Sequence, residues 1–173
     1  IEGKCFTADT LIATNDGDKQ IIDIEVGDEV YSANTETGEK GLKKVKQVFV
    51  RETNILAHVF VGDEEIRTTV THPFWVEGKG WVDAGYLVAG DVLRTYNGEL
   101  LEVKKVEFEY LDEFIKVYNF EVEDWHTYFV TGTEVLVHNA NYGKQKAGAG
   151  VGDGKQGKPL KEWLEDSPEL LDE

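Results

Sequence analysis

One cysteine, Cys5, stands almost at the start of the sequence, and a His138-Asn139 pair closes its last strand-like segment. A thiolate is a good nucleophile, and the nearest electrophile to Cys5 is the carbonyl of Lys4. Attack would move the acyl chain from nitrogen to sulfur and leave a thioester. That shift is uphill in solution, so a fold must hold the sulfur at attack distance and strain the Lys4–Cys5 amide. The departing nitrogen needs a proton donor, which histidine suits near neutral pH. The carbonyl oxygen needs a stabilising hydroxyl or amide. Thr69 and His72, in Thr69-Val70-Thr71-His72-Pro73, could supply both. At the other end, the side-chain amide of Asn139 can attack its own backbone carbonyl. This forms a succinimide and breaks the Asn139–Ala140 bond, and the adjacent His138 could polarise that carbonyl. Another histidine, His126, lies in a strand-like context, Trp125-His126-Thr127-Tyr128. Taken singly, each has a plainer reading: a small buried thiol, or a strand end with an Asn turn. His58 fits no pattern and reads as an ordinary strand residue.

The elements that must position these groups read as short strands. Segments 11–14, 19–24, 28–33, 43–50 and 57–61 are rich in β-branched and aromatic residues. So are 65–71, 74–76, 81–83, 92–96, 101–109, 115–122, 127–130 and 134–137. Gly and Asp separate most of them, the pattern of an all-β domain. Pro73 is the only proline in this region, so little interrupts strand pairing. A faint repeat is visible. Ile24-Glu25-Val26-Gly27-Asp28-Glu29-Val30 resembles Leu87-Val88-Ala89-Gly90-Asp91-Val92-Leu93, and a lysine-containing strand and then a histidine segment come after each. The spacing drifts along the repeat, which excludes a solenoid period. Two half-domains related by a pseudo-twofold axis would explain it.

The chain has 173 residues, 40% of them hydrophobic, with 4 Trp, 7 Tyr and 8 Phe, enough for a sizeable core. A formal charge of −16 argues against nucleic acid as a partner, because phosphates are bound through clustered Lys and Arg. No apolar run approaches the roughly 20 residues of a membrane span. One cysteine excludes an internal disulfide and a cysteine-built zinc site, so no metal is expected. The chain contains no Met and begins Ile-Glu-Gly-Lys, as expected of a piece of a longer polypeptide. After Asn139 the composition turns to Gly, Lys, Ala and Gln over 140–158, which reads as a linker. Residues 159–173 could form a short acidic helix through Leu160, Trp163 and Leu164.

Four motifs in order carry a resemblance to the Hint superfamily of inteins, bacterial intein-like domains and hedgehog autoprocessing domains. The first is Cys5-Phe6-Thr7-Ala8-Asp9-Thr10-Leu11-Ile12 and the second is Thr69-Val70-Thr71-His72-Pro73-Phe74. The third runs from Val117-Tyr118-Asn119-Phe120 to Trp125-His126-Thr127-Tyr128-Phe129-Val130. The last is Val135-Leu136-Val137-His138-Asn139. The resemblance is greatest to bacterial intein-like and pretoxin Hint domains. It implies an all-β horseshoe of two pseudo-symmetric halves over 5–139, with flanks 1–4 and 140–173. It also implies roles: Cys5 as nucleophile, Thr69 and His72 activating the Lys4–Cys5 amide, His126 assisting the C-terminal junction, and His138 with Asn139 as the cyclisation pair. No cofactor is implied, the substrate is the domain's own flanks, and the domain is expected to be a monomer within a larger secreted or surface bacterial protein.

Two residues depart from the family pattern. Splicing inteins carry Cys, Ser or Thr after the terminal Asn, and this chain has Ala140, whose side chain cannot accept an acyl group. Many inteins have Asp where Asn119 stands, and Asn cannot act as a base or carry charge there, so Asn119 is an assisting candidate whose departure bears on the coupling of the two steps. The expectation is therefore separate cutting at the two ends, with splicing minor. The rival readings are an inactive Hint scaffold, hedgehog-like ester transfer (disfavoured by the His138-Asn139 ending) and a generic β-rich binding domain.

Overall fold

The computed structural model describes residues 4–138. Asn139, Ala140, the expected linker over 140–158 and the expected helix within 159–173 lie outside them.

The described residues fold into eleven strands. They are β1 (Leu11–Thr14), β2 (Gly17–Gln20), β3 (Glu29–Ala33), β4 (Lys40–Val61), β5 (Glu64–Thr68), β6 (Pro73–Val76), β7 (Gly80–Asp83), β8 (Val92–Arg94), β9 (Leu100–Val122), β10 (Thr127–Val130) and β11 (Val135–His138). One sheet runs β10-β11-β6-β8-β9-β4-β3-β1-β2, with β5 on β4 and β7 on β6. A further pairing of β1 with β10, Ile12 opposite Val130, joins strands far apart in that order. Closure of this kind leaves few strand edges open to other chains.

Two expected breaks are absent. The segments 43–50 and 57–61 are parts of one strand, and so are 101–109 and 115–122. These two long strands pair antiparallel from Val45–Val122 to Val61–Val103, with register shifts near Thr53 and Ile55 absorbed as bulges. Much of the central stretch is exposed, so it carries polar residues without being a turn. The expected strand 19–24 is also corrected. It ends at Gln20, and Ile21–Asp23 form a single turn of 3-10 helix.

The faint repeat is a real structural one. Ile21–Asp23 and Ala84–Tyr86 are both 3-10 turns entered and left through extended residues. In the first half Asp28 N donates to Glu25 O at 3.0 Å, and Asp28 Oδ2 accepts from Glu25 N at 2.9 Å. In the second half Asp91 N donates to Val88 O at 3.0 Å, and Asp91 Oδ2 accepts from Val88 N at 2.9 Å. Gly27 and Gly90 carry φ of 96° and 97°, a left-handed backbone that glycine adopts at no steric cost. Each then joins the next long strand, Gly27 N to Val45 O and Gly90 N to Val103 O, both at 2.9 Å. A lysine caps each aspartate, Lys19 on Asp28 at 2.9 Å and Lys79 on Asp91 at 2.7 Å. The same local chemistry thus starts β3 and β8.

The core lies between the halves. Phe6, Ile12, Val30, Phe74, Leu93, Phe120, Tyr128 and Val137 are all fully buried in it. Burying a side chain of this size contributes about 1.5–3 kcal/mol. The segments carrying Cys5, His72 and His138 are therefore anchored by the core.

Candidate active site

The segment around Cys5 is gripped from two sides. Phe6 N donates to Tyr118 O, and Tyr118 N donates to Phe6 O, both at 2.8 Å. Phe6 also bridges Thr68. The Cys5 carbonyl accepts from Thr69 N and from the Thr68 hydroxyl, both at 2.9 Å. The Phe6 ring is fully buried and packs against His72, Phe74 and Tyr128. This segment is an added strand wedged between β5 and β9, so the Lys4–Cys5 bond has a fixed place.

Both sides of that bond have partners. Thr69 Oγ1 accepts from Cys5 N at 3.1 Å. On the other side, Asn119 Nδ2 donates to the Lys4 carbonyl oxygen. Thr69, expected as a source of oxyanion stabilisation, has its hydroxyl on the nitrogen, and the contact on the oxygen comes from Asn119. The side-chain oxygen of Asn119 accepts from Phe120 N at 2.7 Å and from Tyr128 Oη at 2.6 Å.

The Cys5 side chain is buried against Leu56 and Val117. Burial pushes its thiol up to about 12, which the charge of Arg51 and the Lys4 backbone only partly offset. The thiol is therefore protonated at neutral pH.

His72 sits at the start of β6, in a turn after Thr69. Ala84 N donates to His72 O at 2.8 Å and Gly85 N to Val70 O at 2.9 Å, so the second 3-10 turn clamps this turn in place. The ring is fully buried, 4.2 Å from Phe6 between centroids. Its Nε2 lies 2.9 Å from the carbonyl oxygen of His138. A carbonyl only accepts, so Nε2 carries the proton and Nδ1 is the bare nitrogen. Burial drives the His72 pKa down to about 3, and the His138 carbonyl and the Lys4 backbone oppose this weakly. His72 is thus a neutral imidazole of fixed tautomer. Its Nδ1 is buried without a hydrogen-bond partner among the described residues.

His138 ends β11 and is buried, with its ring edge-on to Trp81 at 4.9 Å. Its backbone pairs with Thr127 of β10. Thr127 is fastened to β3 through Ser32 Oγ at 2.8 Å and Ala33 N at 2.9 Å. His126 directly precedes Thr127, half-buried, with a left-handed φ of 57°. The backbone thus sets it beside the strand that ends at His138. Asn139, the expected cyclising residue, lies just outside the described residues. Among the described residues no group of His, Cys, Asp and Glu could hold a metal ion.

Residues 11–140 match the profile of the pretoxin HINT domain. The chain belongs to the pretoxin Hint family. Hint domains are self-processing at the family level. This Hint domain is 46% identical to a bacterial intein-like domain from Clostridium thermocellum, over 80% of this chain and 100% of that one, with a TM-score of 0.78. The gp41-1 intein is 26% identical over 80% of this chain and 100% of its own, with a TM-score of 0.64. A DnaB intein from Synechocystis shares 18% identity and shows the common fold alone, with a TM-score of 0.68 over 79% of this chain and 98% of its own. No curated protein matches the chain.

The motifs named Asn119 and the residues around it but missed three partners: Phe6, Tyr128 and Trp81. Tyr128 and Phe6 lie inside the quoted motifs, which by themselves give them no role. For Trp81 the sequence carries no signal beyond a strand-like context.

Proposed function

We propose that this Hint domain cuts its own chain, once per molecule, at Lys4–Cys5 and at Asn139–Ala140. Cys5 is the nucleophile of an N-to-S acyl shift, with Thr69 and His72 holding the amide. Water or a thiol then opens the thioester. Asn139 cyclises with help from His138 and His126 and releases the downstream chain. Ala140 offers no hydroxyl or thiol for a branched ester, so joining of the flanks is minor. The substrate is the protein's own flanking polypeptide, within a larger secreted or surface bacterial protein.

One observation carries this reading. Both ends of the domain converge on His72: Phe6, next to the thiol, packs on its ring, and the carbonyl preceding Asn139 accepts its Nε2–H. An ordinary β-rich binding domain has no reason to place a buried imidazole between its first strand and its last carbonyl. The second reading, an inert Hint scaffold, is favoured by the burial and protonation of the Cys5 thiol.

The test uses the chain with reporter domains on both sides and measures intact mass with and without added thiol. Thiol-stimulated cutting before Cys5, lost in Cys5→Ala, and cutting after Asn139, lost in Asn139→Ala, are the expected results. If both bonds survive for days, the scaffold reading replaces this one.

A further inference from the structure

We infer that the Asn119 side-chain amide is the electrophilic catalyst of the acyl shift, a hydrogen-bond donor aimed at the Lys4 oxygen and locked in that orientation by Tyr128. The inference rests on the acyl-shift reading above.

The orientation is a matter of elementary bonding. A backbone N–H can only donate, and Phe120 N lies 2.7 Å from one end of the Asn119 amide, so that end is the oxygen. The Tyr128 hydroxyl donates to the same oxygen at 2.6 Å. The other end is then NH2, and it faces the Lys4 carbonyl. Asn119 is 2% exposed and Tyr128 fully buried, so water does not compete for these groups. Burial keeps the Tyr128 hydroxyl protonated far into the alkaline range, so it remains a donor. Asn119 lies on β9 and Tyr128 on β10, both buried and hydrogen-bonded to each other.

In the acyl shift, Cys5 Sγ bonds to the Lys4 carbonyl carbon, and the C=O π pair moves onto oxygen, where the Asn119 N–H strengthens its hydrogen bond. Collapse restores the carbonyl and breaks the bond to the Cys5 nitrogen. That nitrogen takes up the proton lost by the thiol, giving a thioester and a free amine. A carboxylate in place of the amide would set negative charge against the developing oxyanion. A protonated carboxyl could still donate. Asn119 is therefore a catalytic residue that does not titrate, and Tyr128 is its positioning residue.

The experiment uses the full chain with both reporter domains and measures cutting before Cys5 under dithiothreitol from pH 5 to 9. Removing one oxyanion donor slows reactions by about 100- to 1000-fold, and Asn119→Ala is expected to fall in that range. Asn119→Asp is expected to be slow at pH 7–9 and to regain at least about tenfold at pH 5 relative to wild type, as its buried carboxyl protonates. Tyr128→Phe, which keeps the ring, is expected to slow cutting less than Asn119→Ala. Asn119→Ala within about threefold of wild type overturns the assignment. So does an Asn119→Asp pH profile that merely parallels wild type, since that marks a structural role. A wild-type chain that never cuts before Cys5 sinks the acyl-shift reading instead. The contact is then decided by isotope-edited infrared spectroscopy with 13C at the Lys4 carbonyl. Its amide band moves to higher frequency in Asn119→Ala if the donor is present, and an unmoved band overturns the assignment.

Discussion

The two proposed junctions of this domain are held by different groups. At Lys4–Cys5, neutral groups do the holding: the Thr69 hydroxyl takes the N–H and the Asn119 amide meets the carbonyl. At the other end, imidazoles dominate: His72 donates to the His138 carbonyl, and the His138 ring stands against Trp81. The difference separates orientation from ionisation. Nothing that holds the first bond changes charge near neutral pH, so the pH response of that bond belongs to the thiol. At the second end, burial holds the His72 imidazole neutral. His72 reaches both ends, which makes it the place to break the contrast.

The largest effect is expected there. His72→Ala removes the donor on the His138 carbonyl and the ring that packs on Phe6. An imidazole of this kind contributes about 100- to 10,000-fold. Both cuts are expected to slow by that order, as measured by intact mass of a chain with reporter domains. If only one slows, His72 serves one junction and the convergence is incidental packing. The same residue gives an acid limit to the fold. Its pKa is about 3 folded and near 6.5 unfolded, so the folded state binds fewer protons between those values. Its stability contribution is complete above 6.5 and drains as pH falls toward 3, by up to about 1.4 kcal/mol per pH unit.

A smaller effect sharpens the contrast between the ends. The Cys5 thiol is pushed up to about 12, so its thiolate fraction rises about tenfold per pH unit from 7 to 9. Cutting before Cys5 is expected to accelerate about 100-fold across that range, with cutting after Asn139 changing much less. A flat profile at the first junction would mean that something other than thiol ionisation limits it.

How much of this was legible in the sequence depends on the range of the interaction. Cys5, Thr69, His72 and the Gly-Asp repeat could be read because each motif is a short run of residues with a local reason to exist. The loops at Gly27 and Gly90 need a left-handed residue and an aspartate one step later, and both are visible in the chain. The long strands were not legible. Exposure in their central stretch removes the alternation that marks a half-buried strand, and bulges shift what remains. The donor role of Asn119 was illegible for a different reason. An amide's orientation depends on its partners, and Tyr128 reaches it across a turn from a different strand. Read alone, Asn119 looked only like a missing carboxylate.

The smallest expected effect lies outside both junctions and serves as the control for them. His58 of β4 sits between Glu65 of β5, against Nδ1, and Glu109 of β9, 2.7 Å from Nε2. Burial pulls its pKa down, but hydrogen bonds and charge from the two carboxylates outweigh that and raise it above the usual value. The sign is therefore opposite to that of His72. The folded state holds a proton that the unfolded chain releases near 6.5, so the contribution is complete below 6.5 and is lost as pH rises through the folded value. Both carboxylates are substantially exposed, which limits the effect to about 1 kcal/mol or less. His58→Gln is expected to flatten the fall in urea midpoint between pH 6 and pH 8.5 while leaving both cutting rates alone. A change in either rate would mean that the β4–β9 ribbon communicates with the junctions, and the contrast between them would then have to include the ribbon's charge.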